Sequence, residues 1–584
     1  MSARQQLTDP EITRPIRSLA AVTARLLVGG SPFEMETAEI GGVATRVWKH
    51  APAHMRAVVE SCAENGDRAA LVYGDERLSH ADFHRRTAGF ARRLVADYGV
   101  AEGDRVAIAM RNYPEWVVAF FAATAVGAVA VPLNSWWSGP ELEFGLADSG
   151  AKVLIADRER IERLGEGLGR LELPVIAVRT GDLPEGARTW EEVLGEPGAD
   201  ARLPDAAVAP DDPCTLFYTS GTTGRPKAAV ASHRNLATNI VSGSYSRFRS
   251  LMRLGLEMEE VQAYVDALGP SVVLCVLPLF HATGAQTVML PTLANGGTLV
   301  LMHKWDPEEA LRLVERERVS AITAVPAMIS QMTASPRLRD YDLSSLVLLA
   351  SGGAPAAPAL VSRTRSSMHD MLLGQGYGLT ESSATATVNG GSDYLLRPDS
   401  AGVPVATVDI KVVDAADREL APGEVGEVWI RGPGVVHGYW RRPDATEAAF
   451  TGGWLRTGDL GRLDEEGFLY VVDRATDMII RGGENVYCAE VEAAVHEHPA
   501  VGEVAVVGVP DEVYGEEVGA VVRLLPGAGL TGAELVEFLK PRVAAFKIPS
   551  HIRISAEDLP RNASGKLLKK RLKQEHGWTA AEQG

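Results

Sequence analysis

Positive charge is in short supply in this chain: 58 lysines and arginines stand against 76 aspartates and glutamates, a net charge of −18 over 584 residues. A protein that neutralises nucleic-acid phosphates needs a basic face, so no nucleic-acid partner is expected, and any anionic ligand has to find a local basic pocket. Cysteine is rarer still. Cys62, Cys214, Cys275 and Cys488 are scattered, with neither a CxxC pair nor metal-ligand spacing, and read as reduced, buried thiols of a cytosolic protein. Thirteen histidines occur without HExxH, which gives a structural zinc site no support. One uncharged run, Trp116 to Leu133, is eighteen residues long and touches the lower limit of a membrane span. Its alanines, Gly127 and the closing Val131-Pro132-Leu133-Asn134 fit a buried helix running into a short core strand, so no transmembrane span is expected. The first residues lack a secretory pattern and the final Ala-Glu-Gln-Gly is no peroxisomal address, so the expected location is cytoplasmic.

The chain is longer than one hydrophobic core usually serves, which predicts two or more domains. Ile12, Ile16, Leu19, Val22, Leu26 and Leu27 recur at near-helical spacing among Arg14, Arg17 and Arg25; such a helix usually packs on its own protein, though it could also lie on a membrane surface. From about Ala57, helical patterns alternate with short β-branched strands such as Val106–Ala109, Lys152–Ile155 and Val175–Val178, the rhythm of a layered α/β sheet. A mixed-charge helical stretch between Asn235 and Pro278 reads as an insertion. After the strand-like Phe468–Val472 and Asp473-Arg474-Ala475-Thr476-Asp477, about a hundred residues carry apolar patterns of their own, including Val504–Val509 and Ala520–Val522, enough for a small α+β domain.

The most informative string is Tyr218-Thr219-Ser220-Gly221-Thr222-Thr223-Gly224-Arg225-Pro226-Lys227. Two glycines let backbone N–H groups approach an anion, four hydroxyl residues add donors, and Lys227 adds a mobile cation, as a polyphosphate cradle requires. It is not the common P-loop, because Arg225 and Pro226 separate Gly224 from the lysine. Further along stand Leu277-Pro278-Leu279-Phe280-His281-Ala282-Thr283-Gly284, Ser351-Gly352-Gly353-Ala354, Gly374-Gln375-Gly376-Tyr377-Gly378-Leu379-Thr380-Glu381 and Trp454-Leu455-Arg456-Thr457-Gly458-Asp459. Near the C-terminus comes Pro560-Arg561-Asn562-Ala563-Ser564-Gly565-Lys566. Alone, His281 reads as a satisfied core histidine, Asp459 and Arg474 as solvated charges, and Lys566 as a surface lysine. Glu381 is a hard oxygen ligand suited to Mg²⁺.

Taken in order, these motifs resemble the adenylate-forming superfamily of acyl-CoA synthetases, firefly-type luciferases and peptide-synthetase adenylation domains, most closely its AMP-forming fatty acyl-CoA ligases, over about residues 55–570. The resemblance implies an α/β fold with a large multi-layer N-terminal domain of mixed sheets packed by helices, residues 51–474 with a helical insertion at about 241–270. An extension of residues 1–50 precedes it, and a small mobile α+β C-terminal domain of residues 475–584 carries the catalytic lysine. It also implies roles. Thr219, Ser220, Gly221, Thr222, Thr223, Gly224 and Lys227 hold the ATP phosphates. Gly352, Gly353, Ala354 and Tyr377 face adenine, with Thr380 at the α-phosphate, Glu381 and Thr219 on Mg²⁺, and Asp459 and Arg474 on the ribose. His281 and Gly376 border the acyl pocket. Lys566 sits between the substrate carboxylate and the α-phosphate, both anionic, where a preorganised cation lowers the barrier. Gly482 and Gly483 line a tunnel for the pantetheine arm of coenzyme A, and Lys547 meets its phosphates.

The implied reaction has two halves. A carboxylate attacks the α-phosphate of ATP, pyrophosphate leaves, and the acyl-adenylate then passes its acyl group to the thiol of coenzyme A after the small domain turns about a hinge. The expected partners are a small carboxylic acid, ATP and coenzyme A; a homodimer is left open. A fatty acid is the first expectation for the acyl group, since Val325-Pro326-Ala327-Met328 forms an apolar wall, with aryl and alicyclic acids beside it and a carrier protein as the alternative acceptor. Two positions depart from the usual pattern. Asp473 replaces a glycine and makes Thr476 the hinge residue, and Ala228 follows Lys227 where glycine is common. Because proline fixes φ, Thr476→Pro is expected to impair thioester formation more than adenylate formation; rates of the two half-reactions measured separately check this, and product made at the normal rate refutes the hinge at Thr476.

Overall fold

The computed structural model describes residues 17–181, 183–219, 226–354, 358–368, 371–525, 527–562 and 566–579. Within them the strands form five sheets. A seven-stranded sheet runs in the order Lys227–Ser232, Pro213–Thr219, Val129–Pro132, Arg105–Ala109, Val153–Asp157, Val175–Val178, Arg188–Thr189, parallel except for the edge strand Lys227–Ser232. A nine-stranded sheet is parallel through its centre, where Leu348–Gly352 lies between Ala321–Ala324 and Leu372–Tyr377, and antiparallel at both ends. A third large sheet, antiparallel, holds Trp454–Leu463 beside Leu469–Arg474. The fifth begins at Ile479 and contains the long pair Val501–Asp511 and Gly515–Leu524, with the helix Cys488–His496 packed on it. A two-stranded hairpin, Met35–Ile40 with Val43–Trp48, completes the set.

Helices fill the space between the two largest sheets, and their sequences show why. Pro114–Ala125 has no polar stripe and is buried nearly all round, Trp116, Phe120 and Phe121 included. A helix apolar on every face is one with protein on every face. Its cluster joins Val106 and Ile108 of the seven-stranded sheet to Leu71, Leu299 and Leu301 of the nine-stranded one, through Phe83 and Phe90 of the helix His80–Ala96. The uncharged run from Trp116 to Leu133 is therefore a core helix followed by the strand Val129–Pro132, as read, and no helix among the described residues is long and apolar enough to cross a membrane.

The segment read as a helical insertion, about residues 241–270, is helical over most of its length. One helix runs from His233 to Arg253, started by Ser232, whose hydroxyl accepts from Asn235 N, and a second helix follows at Met258–Leu268. The helix Leu19–Leu26 packs on them: Val22, Leu26, Phe33 and Trp48 share a cluster with Tyr245, Phe248, Leu251 and Val261, and Arg17 and Arg25 both pair with Glu257. Arg17 and Arg25 thus pair within the protein itself. Phe120 stacks on Trp116 at a centroid distance of 5.3 Å and meets Phe121 edge-on at 5.4 Å. Phe120→Ala is expected to lower stability by about 3–5 kcal/mol, read as an earlier midpoint in urea denaturation.

Candidate active site

The strand Trp454–Leu463 turns Asp459 inward, opposite Arg474 on the neighbouring strand. Thr457 prepares the turn: its hydroxyl donates to Val428 O at 2.6 Å and accepts from Asp459 N at 3.0 Å. The buried Asp459 carboxylate accepts from the Tyr377 hydroxyl at 2.7 Å and pairs with Arg474 Nε at 3.2 Å. Burial raises the Asp459 pKa and Arg474 opposes that shift; burial and the neighbouring Asp459 raise the Tyr377 pKa far above the ordinary phenol. From the C-terminal part of the chain comes Lys566. Its backbone is pinned to Asn562 by two bonds of 2.9 Å, N–H to side chain and carbonyl to N–H. Its ammonium lies in the field of Arg474, Asp477 and Asp459; burial first, then Arg474, lowers its pKa. The structure therefore gathers Tyr377, Asp459, Arg474 and Lys566 from three separate motifs.

A second group forms around Glu381, in the single turn Thr380–Ser382. The Tyr439 hydroxyl donates to Glu381 Oε1 at 2.7 Å, and Lys227 Nζ stands 5.2 Å from the centre of the Tyr439 ring. Tyr439 arrives there because residues 437–440 run alongside the edge strand Lys227–Ser232, with Val230 N donating to Gly438 O at 2.9 Å and Trp440 N to Ala228 O at 2.8 Å. Gly438 has φ +137°, and a Cβ there would lie 2.4 Å from Thr446 Cγ2, so this approach needs glycine. Asp148 secures the same region, accepting from the Tyr218 hydroxyl at 2.9 Å and from Arg442 at 2.5 Å. Thr219 Oγ1 donates to Lys227 O at 3.3 Å across the strand pair. Ser220, Gly221, Thr222, Thr223 and Gly224 lie outside the described residues. No group of three metal-ligating side chains occurs among the described residues. A lone carboxylate such as Glu381 still suits Mg²⁺, which binds through one or two carboxylates together with nucleotide phosphates.

Gly352 and Gly376 are register partners on adjacent parallel strands. A Cβ on either would meet no atom of the described residues closer than 3.6 Å, so no steric clash among them requires glycine at these two positions. Gly353 follows with φ +75°, 3.8 Å from Val325 of the apolar wall when given a Cβ, and the half-buried Ala354 comes next. His281 packs on Phe280 at 4.6 Å and precedes a π-helix, Thr283–Met289. Such turns concentrate at functional sites. Among the described residues His281 Nε2 is buried without a hydrogen-bond partner, and burial pushes its pKa down to about 4. Gln286, on the π-helix and fully buried, has no partner among them for either amide atom. Sequence reasoning missed Gln286 and Tyr439. A single glutamine inside the apolar Gly284–Pro291 run was the available signal for the first.

The remaining expected residues lie apart from these groups. Thr476 is exposed, in the turn closed by Asp477 N donating to Arg474 O at 3.0 Å. Gly482 and Gly483, both at positive φ, link Ile479–Arg481 to Glu484–Val486, and Lys547 is ion-paired with Glu490 at 2.7 Å.

This fold and this site define an enzyme of the adenylate-forming superfamily, in which a large α/β domain holds the nucleotide and a small C-terminal domain brings a lysine to it. The chain belongs to the AMP-binding enzyme family: the family's sequence model matches residues 58–440, and that of the AMP-binding enzyme C-terminal domain matches residues 490–566. It is 40% identical over 509 residues to the feruloyl-CoA synthase of an Amycolatopsis species, covering 87% of this chain and 96% of that protein. It is 36% identical over 511 residues to the long-chain-fatty-acid–CoA ligase FadD13 of Mycobacterium tuberculosis, covering 86% and 94%. Among solved structures it superposes on the o-succinylbenzoate CoA synthetase of Bacillus subtilis in complex with its acyl-adenylate intermediate, with a TM-score of 0.74 and 32% identity over 88% of this chain and 97% of that one.

The hydroxyl of Tyr439 fixes one oxygen of Glu381, the residue suited to the metal. Partners of this kind typically contribute 10–100-fold to metal affinity or activity, so Tyr439→Phe is expected to raise the Mg²⁺ concentration for half-maximal pyrophosphate exchange by about 10-fold or more. A Mg²⁺ titration of wild type and variant checks it.

Proposed function

We propose that the protein activates an aryl-substituted carboxylic acid with ATP and transfers the acyl group to coenzyme A, giving an acyl-CoA, AMP and pyrophosphate. The observation that carries this reading is the convergence of Lys566 on the Asp459–Arg474 pair, because adenylate formation needs a cation between two anions at the place where the ribose is held. Asp459, acceptor-only when ionised, suits the two ribose hydroxyls. Lys566 offsets the charge that builds between the acid's oxygen and the α-phosphate, and its partial burial strengthens that field. Glu381 and Thr219 would hold Mg²⁺, which supplies charge neutralisation on the phosphates when bound. Tyr439 keeps the Glu381 carboxylate oriented. Once pyrophosphate has left, the glycine pair Gly482-Gly483 gives a slender thiol arm close access along backbone.

An aryl acid replaces the first expectation of a fatty acid for two reasons. The feruloyl-CoA synthase is more similar than the fatty-acid ligase, 40% against 36% identical. His281, which the resemblance places at the acyl pocket, and Gln286, five residues further on, also have buried polar atoms without a partner among the described residues. A simple alkyl chain leaves such groups unsatisfied, whereas a hydroxy- or methoxy-substituted ring can satisfy them, and a buried unpaired polar group is costly. His281 stays neutral down to about pH 4, so it serves as a hydrogen-bonding group rather than a cation.

Two measurements test this. In a pyrophosphate-release assay across hydroxycinnamic, benzoic, alicyclic and C8–C18 fatty acids, with coenzyme A or an acyl-carrier protein as acceptor, the highest kcat/KM is expected for an oxygen-substituted aryl acid with coenzyme A; a maximum for a long alkyl acid overturns the aryl reading. Lys566→Ala is expected to slow adenylate formation by about 10²–10³ while sparing thioester formation from supplied acyl-adenylate, and equal loss in both half-reactions contradicts its assigned place.

A further inference from the structure

Asp473 stands one residue before Arg474 at the end of the large domain, and the structure gives it a task. It lies on the strand Leu469–Arg474, register partner of Leu460 in the antiparallel sheet of the large domain, one residue before the turn that leads to Thr476. Its side chain is buried, and both oxygens are used. Oδ1 accepts from Arg474 N at 2.8 Å, and Oδ2 accepts from Cys488 N at 2.5 Å. Cys488 is the first residue of the nine-residue helix Cys488–His496, on the far side of the turn. The N-cap residue of that helix, Tyr487, provides no side-chain cap. The free N–H groups and positive end of the helix are met instead by a carboxylate from the other domain.

A second partner comes from still further along the chain. Lys569, the first residue of the helix Lys569–Glu575, bonds Glu492 at 2.9 Å and acts on Asp473 as a positive neighbour. Burial disfavours the Lys569 charge, but Glu492, Cys488 and Asp473 together more than offset this, so its pKa is raised. Burial raises the Asp473 pKa, and Lys569 leads the groups that oppose it. Asp473 is thus a large-domain carboxylate set into a frame of small-domain groups: a helix N-terminus and an ammonium.

We propose that Asp473 is a positioning residue that holds the small domain in the arrangement with Lys566 at Asp459, and so sets the balance between the two half-reactions. The inference rests on the two-step reading above. When the small domain turns about Thr476, Asp473 remains paired in its sheet while Cys488 and Lys569 move away. The Cys488–Asp473 bond must break, and a carboxylate that was paired must be taken up by water. Each such loss falls on the departure from the adenylate-forming arrangement and none falls on its formation. A glycine at this position carries neither cost.

The test compares wild type with Asp473→Gly, Asp473→Asn and Lys569→Met, measuring pyrophosphate exchange and, separately, acyl-CoA formation from supplied acyl-adenylate. Asparagine keeps an acceptor for Cys488 N without the charge, and methionine at 569 removes the ammonium while leaving the cap, so at least one variant keeps the fold if the cap itself is needed. The expected result is a fall in exchange of about 5-fold or more for Asp473→Gly, a smaller fall for the other two, and thioester formation unchanged or faster in all three. A proportional loss of both half-reactions, as general destabilisation would produce, overturns the proposal, as does no change in either. Wild type with no thioester formation from any acyl-adenylate would instead refute the reading on which the proposal rests.

Discussion

One buried carboxylate organises the site. Asp459 accepts from Tyr377, which belongs to the nine-stranded sheet, pairs with Arg474 on the strand that leads out of the large domain, and lies in the field of Lys566 from the small domain. An ionised carboxylate out of water needs several partners to remain charged, and removal of any one leaves the others exposed to that cost. Three distant parts of the chain are therefore brought to a common point by the needs of one side chain.

Around this point the protein divides rigid from adjustable. Helices clad on both faces lock the two large sheets together through Trp116, Phe120, Phe121 and Phe83, and close packing of that kind leaves little room for relative motion. Asp148 and Gly438 fasten residues 437–442 to the edge of the seven-stranded sheet, which places Tyr439 against Glu381. The connection to the small domain is of another kind: an exposed turn at Thr476, flanked by Asp473 and Arg474 with their ionic partners. Packing sets the nucleotide side of the site, and a few polar contacts set the position of the lysine.

Much of this was legible in the residues. Val106–Ala109, Val175–Val178 and Ala520–Val522 fall inside observed strands, and the charge-free run after Trp116 is the core helix it resembled. Asp459, Arg474 and Lys566 were found by motif, and the structure brings them together. What escaped has a common cause. Asp148 and Arg442 are 294 residues apart, and Glu381 and Tyr439 are 58 apart. Partnerships between ordinary polar residues at such separations leave no periodic or compositional trace. Gln286 was hidden in an apolar run, where its buried amide is visible only once the π-helix is seen. Asp473 was noticed as a departure, but the helix end it meets lies 15 residues on, across the turn.

The paired glycines Gly352 and Gly376 carry a consequence for how this enzyme can change. They present peptide groups alone, and a Cβ on either would rest in ordinary contact with neighbouring backbone oxygens at 3.6–3.9 Å. Every substitution there adds atoms, so variation at that face runs in one direction, toward a smaller cleft. Val325, which lies 3.8 Å from a Cβ built on Gly353, has a side chain that can be enlarged, trimmed or altered in polarity. Change is thereby channelled to the positions that carry side chains, while the stretch of bare backbone keeps its shape.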